Sequence, residues 1–203
     1  MTTVARQALL GGRLAIWCWA AALLAVPVAL ASAQPAAAAI AVASAERAAP
    51  SAAALDQLPQ QWRDDRGAPL ALATLAGRRV FLTMAYARCH RLCPATIGGL
   101  RQLQKQLEQR GEAADFVVVG YDPDSDDPAA WHQYRIGRHL DSERWHFLTG
   151  SRSAVEQLAR QLGFEFWNYD GHVMHDTRVV VFDAHGQLTG ALGNDSRNWP
   201  AEL

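Results

Sequence analysis

Three short runs of strand-forming residues each lead into a stretch with helical spacing, and that alternation leaves few folds open. RRVFLTMAY (78–86) runs into CPATIGGLRQLQKQLEQRG (93–111), in which Ile97, Leu100, Leu103 and Leu107 share one helical face. Pro94 suits a first turn, where its missing N–H is not needed, and Gly111 suits a stop. DFVVVGYD (115–122) precedes DPAAWHQYRIGRHL (127–140), a helix opened by Asp127 and Pro128. WHFLTG (145–150) precedes SRSAVEQLARQLG (151–163), with Ser151 as cap and Gly163 as stop. TRVVVFDAHGQLTGAL (177–192) reads as a hairpin turning between Ala184 and Gly186, and WRDDRGAPLALATLAG (62–77) as a smaller one turning at Gly67. The order predicts an α/β domain with a largely parallel sheet closed by an antiparallel pair.

That order suits a thioredoxin-like fold, a central mixed sheet flanked by helices. Such a fold normally adds a helix after the last hairpin. NWPAEL (198–203) is at most its first turn, so the expectation is a domain lacking the full C-terminal helix. The domain is expected over residues 55–203. Residues 34–54, rich in alanine with proline and serine, read as a linker, because they hold too few large apolar groups to pack. Residues 1–33 carry Arg6 and Arg13, then LAIWCWAAALLAVPVALASA (14–33) without a charge. This is either a cleaved export signal ending at Ala33 or a membrane anchor. Both readings place the domain in the periplasm, soluble or held at the inner membrane. The formal charge of the chain is −1, from 19 basic and 20 acidic residues, and loss of Arg6 and Arg13 leaves −3. Mild acidity gives no footing for nucleic acid.

Of three cysteines, Cys18 lies inside the apolar run, which leaves Cys89 and Cys93 to the domain. Three residues separate them, one more than in a redox C-x-x-C motif. A bridge across so short a loop removes little unfolded-state entropy, so a structural staple is the weaker reading and a site the stronger. The pair sits where the first strand ends and the first helix begins, the place such sheets use for chemistry. Residues four apart on a helix are neighbours, so both sulfurs can reach one ion or each other. The helix N-terminus favours thiolate.

A third ligand must come from elsewhere. Of seven histidines, His175 in GHVMHDTRVVVF lies just before a predicted strand, and in a thioredoxin-like fold the loop entering that strand packs beside the N-terminus of the first helix. Two thiolates and an imidazole suit copper(I). Zinc would want a fourth ligand, for which Asp122, His90 and Met174 are available. His132, His139, His146 and His185 are expected to be surface or hydrogen-bonded residues, and His172 stays open. Asp122, ending the second strand, is either a turn residue or a carboxylate that orients the site from outside.

The combination resembles the Sco/SenC family of copper chaperones. FLTMAYARCHRLCPATIGGL (81–100) is similar to its strand, aromatic, C-x-x-x-C-P and helix. VVVGYDPDSDDPAAW (117–131) resembles its strand and D-P-x-x-D-x-P, one residue longer here, with Asp126 or Asp127 in the second aspartate's place. HFLTGS (146–151) and MHDTRVVVFDAHGQL (174–188) resemble its next strand and its histidine segment. The likeness covers roughly residues 55–195. It implies copper, as Cu(I) or Cu(II), on Cys89, Cys93 and His175, and work on the copper centre of cytochrome c oxidase. The implied partners are an oxidase subunit that accepts copper and proteins of thiol–disulfide exchange. His90 stands where the family commonly has proline, and Met174 adds a soft thioether beside His175.

Two functions from different classes follow. A metallochaperone holds copper reversibly and turns nothing over. A thiol–disulfide oxidoreductase would attack with Cys89 and resolve with Cys93, and it needs no distant histidine. The same thiolates serve both, so enzymatic activity stays open. A peroxidase would need an activated cysteine beside an arginine or tryptophan, and nothing singles one out.

Overall fold

The computed structural model describes residues 53–89, 92–170 and 172–192. The predicted signal or anchor, His90 and the expected position of a C-terminal helix lie outside them. Strands form at Trp62–Arg63 (β1), Pro69–Leu70 (β2), Arg79–Ala85 (β3), Ala114–Gly120 (β4), Trp145–Leu148 (β5), Phe166–Tyr169 (β6), His172–His175 (β7), Val179–Phe182 (β8) and Leu188–Leu192 (β9). Helices form at Leu92–Gln109 (α1), Pro128–Gly137 (α2) and Arg152–Leu162 (α3). Among the described residues no helix is long and apolar enough to cross a membrane.

The central sheet has the order β5-β4-β3-β8-β9. β3, β4 and β5 run parallel, while β8 and β9 join antiparallel. The predicted mixed sheet flanked by helices is therefore the fold observed. The period of two sorts its side chains into two layers. Val80, Leu82 and Met84 face one way with Val117, Val119, Val180 and Phe182, and pack with Val155, Leu158 and Leu162 of α3. Phe81, Phe116, Val118, Val179 and Val181 face the other way, against Ile97, Leu100, Leu103 and Leu107 of α1 and Trp131 of α2. Burial on both faces explains why the strands read as continuous apolar runs.

The caps follow the sequence reading. Asp127 accepts the N–H of Ala130 with Pro128 at the helix start, Ser151 accepts that of Ala154, and Gly163 closes α3 at φ 70°. Ordered packing begins upstream of the expected boundary: Ala53 and Ala54 are buried, and Ala54 forms a bridge with Gln187. The hairpin β6–β7 was not read from the sequence. It pairs Phe166 with His175, Trp167 with Met174, Asn168 with Val173 and Tyr169 with His172. Its signal is the dipeptide Asp170-Gly171, a two-residue hairpin turn between strands of only four residues each, too short for a period to announce them. It carries His175, which therefore ends a strand of its own rather than lying in a plain loop before β8.

Candidate metal centre

β3 stops at Ala85, and the chain turns through Tyr86–Cys89 before α1 begins. Cys89 N–H closes this turn on the carbonyl of Tyr86 at 3.0 Å. Cys93, in the first turn of α1, donates its backbone N–H to the Cys89 sulfur at 3.3 Å. The helix start thus directs a donor at one sulfur, as its unsatisfied N–H groups allow. Both cysteines are buried, 4% and 1% exposed, and no disulfide links them. For Cys93 burial outweighs the helix: desolvation, with the Cys89 hydrogen bond, pushes its thiol well above the ordinary range. The expected thiolate preference is overturned at this residue, because a bare charge there would have almost no water.

His175 arrives from the far end of β7. Its Nε2 lies 3.4 Å from the Cys93 sulfur. One ligand atom from each of Cys89, Cys93 and His175 lies within 4.8 Å of the others. The His175 Nδ1 meets the carbonyl of Asp176, so that nitrogen donates and Nε2 presents its lone pair to the sulfurs. Tyr121 packs over the imidazole at 4.9 Å between centroids, and Tyr86 meets it edge-on at 5.7 Å. Tyr121 also donates to Asp176 at 3.4 Å, and Asp176 takes the Glu165 N–H at 3.3 Å. Asp176 therefore ties both ends of the hairpin together and sets the imidazole's position.

The two aspartates that share one place in the sequence pattern do different work. Asp127 caps α2. Asp126, 1% exposed, turns inward and accepts the N–H of Ala87 at 2.7 Å and of Asp122 at 3.0 Å. It thereby fastens the cysteine turn to the loop after β4. Burial pushes this carboxyl up to about 6, while the N–H donors of Ala87 and Asp122 pull it down. Thr149 at the end of β5 donates to the Asp126 carbonyl. Gly120 makes room: a Cβ there would lie 2.7 Å from that of Asp126. Asp122 joins this loop through its backbone, and the carboxylate that reaches the cysteine turn belongs to Asp126. The sequence pattern left Asp126 and Asp127 as alternatives for one place and did not single out Tyr121; only the fold separates the buried Asp126 from the capping Asp127.

Asp126→Ala is expected to orphan two buried donors at roughly 1–3 kcal/mol each. The expected outcome is a lowered unfolding midpoint in urea and weaker metal retention at the cysteines. A midpoint equal to wild type would show that the cysteine turn is held by other contacts.

Met174, next to His175 on the strand, lies on the opposite face beside Trp167 and is 42% exposed. Strand alternation turns its thioether away from the face that His175 presents to the cysteines. His132 contacts Asp65 at 3.3 Å and His146 contacts Asp115 at 3.3 Å, as expected of hydrogen-bonded residues. His139 and His185 are exposed. Among the described residues no fourth His, Cys, Asp or Glu completes the group, so the donor set suits a soft, low-coordinate ion better than a closed zinc site.

A family model described as SCO1/SenC matches residues 51–200. A protein of Stutzerimonas stutzeri named "Putative copper-binding protein" is 28% identical over 155 residues, covering 72% of this chain and 70% of that one. The structure resembles Arabidopsis thaliana ScoI with copper bound, at TM-score 0.62 and 19% identity, over 71% of this chain and 89% of that one. It also resembles BsSco, described as a member of the Sco family of cytochrome c oxidase assembly proteins with a disulfide switch. That likeness has TM-score 0.64 and 21% identity, over 75% of this chain and 90% of that one.

Proposed function

We propose, from the premise that the chain belongs to the SCO1/SenC family, that it carries copper as cargo on Cys89, Cys93 and His175. The observation behind this is the donor set itself: two buried sulfurs and an oriented, half-buried imidazole nitrogen within 4.8 Å. Thiolates prefer copper(I), and its positive charge offsets the cost of ionising buried thiols. The same residues could hold Cu(II) after oxidation of the ion. The destination we propose is the copper centre of cytochrome c oxidase, with the accepting oxidase subunit as partner. Support for that destination is the description of BsSco and the family's motifs in this chain. We further propose that the domain works in the periplasm, exported or anchored by residues 14–33.

The alternative, a thiol–disulfide oxidoreductase acting on partner cysteines, has the sulfurs' closeness in its favour. Their burial weighs against it as the main role, because exchange requires a partner disulfide to reach the attacking sulfur. Closing a disulfide within the chain asks for no such access, so a redox-gated copper site is compatible with the geometry.

The test is a titration of the reduced chain with copper(I) against a chromophoric chelator, before and after mild oxidation. The expected outcome is one copper per chain when reduced and none once Cys89 and Cys93 are bridged. Copper retained by the bridged form would sink the reading. For location, a reporter fused after Ala54 should be active only when exported, and activity confined to the cytoplasm would contradict it.

A further inference from the structure

The buried centre is only one face of the β6–β7 hairpin. The other face carries Trp167, Tyr169 and Met174, which are 54%, 69% and 42% exposed. They are three of the four large apolar residues most exposed among the described residues. Trp167 and Met174 are direct cross-strand partners, and Tyr169 pairs with His172 one step along the same face. Partners of this kind hold their Cβ atoms about 4.5–5.5 Å apart. A thioether and an indole are therefore cross-strand neighbours, both exposed, one residue from His175.

Packing is the plain account of a methionine beside a tryptophan, and inside a core it would suffice. Here the pair covers no core. Its chemistry is instead that of a weak soft-metal site: the thioether is a soft donor that selects copper(I), and tryptophan is the best aromatic partner for a cation above its ring. Weakness is what an entry point needs, since an ion held tightly there would not move on. Met174 and His175 are adjacent on one strand, about 3.3 Å of backbone rise apart, with their side chains on opposite faces, so an ion passing between them crosses the edge of the hairpin. We infer that Met174 and Trp167 form a second, exposed site for a soft monovalent cation, which receives copper(I) and hands it to Cys89, Cys93 and His175. Copper stays in the +1 state throughout, so the step needs no oxidant. The entry role rests on the copper-carrying reading above; the binding at Met174 and Trp167 does not.

The experiment uses silver(I), a redox-inert stand-in for copper(I), and tryptophan fluorescence in a chloride-free buffer. One arm is the full chain with Cys89→Ser and Cys93→Ser; the other is the wild-type chain already holding one copper. In both, silver is expected to quench the red-edge emission of exposed Trp167. Met174→Leu should weaken that binding about tenfold or more, because it removes the one strong donor. Trp167→Phe should abolish the quenching, and His175→Ala in the first arm should leave it. In the otherwise wild-type chain, Met174→Leu should leave one copper at the buried centre but slow its loading from a copper(I) donor. Binding in both arms that ignores Met174→Leu overturns the inference, and the face is then an apolar surface for a protein partner. If the cysteines hold no copper yet the first arm still binds silver through Met174, the copper-carrying reading falls and this site stands. The second arm decides the matter if the double serine variant does not fold.

Discussion

Cys89→Ser and Cys93→Ser are each expected to abolish tight copper(I) binding, a loss of at least about a thousandfold, or about 4 kcal/mol. The two sulfurs are not interchangeable, yet the result should be the same. Serine at either position puts a hard, neutral hydroxyl where copper(I) wants a soft anion. Removing the Cys93 sulfur also takes away the group nearest His175, at 3.4 Å. The Cys89 sulfur also accepts the Cys93 N–H, at 3.3 Å. Cys89→Ser keeps an acceptor there, so the start of α1 should survive, and far-UV circular dichroism should match wild type. Chelator competition reads the affinity. Stoichiometric copper kept by either single variant would mean that two remaining donors suffice, and the three-ligand site would be wrong.

His175→Ala should separate copper carriage from thiol exchange at one residue. It leaves both sulfurs in place, so mild oxidation should still bridge them. Copper(I) affinity should fall by more than about 10–100-fold, the loss typical when only an outer group supporting a metal ligand is removed. The structure adds a second readout. The imidazole is held in a slot between Tyr121 and Tyr86, with centroids 4.9 and 5.7 Å away. Truncation to alanine vacates that slot without rebuilding it, so millimolar imidazole added to the variant should recover part of the affinity. Unchanged affinity in His175→Ala would remove it from the site. Loss of disulfide formation in the same variant would mean that the histidine serves redox chemistry instead.

Much of the scaffold was legible in the order of residues. β3, β4 and β5 are buried on both faces, so each is a largely apolar run, and α2 and α3 carry their start signals in Asp127 and Ser151, with the stop of α3 in Gly163. Such signals are local: they depend on neighbours a few positions away. The cysteine pair was legible for the same reason, since its spacing and its place before Pro94 are properties of a short stretch. His175 was reached by resemblance to a family's histidine segment and by its place before β8, while the strand that carries it was missed.

What the sequence by itself determined was the set of elements, their order, and the soft chemistry of Cys89, Cys93 and a histidine near residue 175. What only the tertiary structure decided was which groups meet and in what state. Asp126 rather than Asp122 reaches the cysteine turn, because the chain must bend back over Gly120 to bring it there, and no local pattern records a contact spanning 39 positions. Met174 leaves the centre that His175 enters, because strand alternation sends adjacent side chains to opposite faces once β7 exists. Cys93 loses its expected bias towards thiolate because burial is a property of the whole packed layer, and desolvation there outweighs the pull of one helix end.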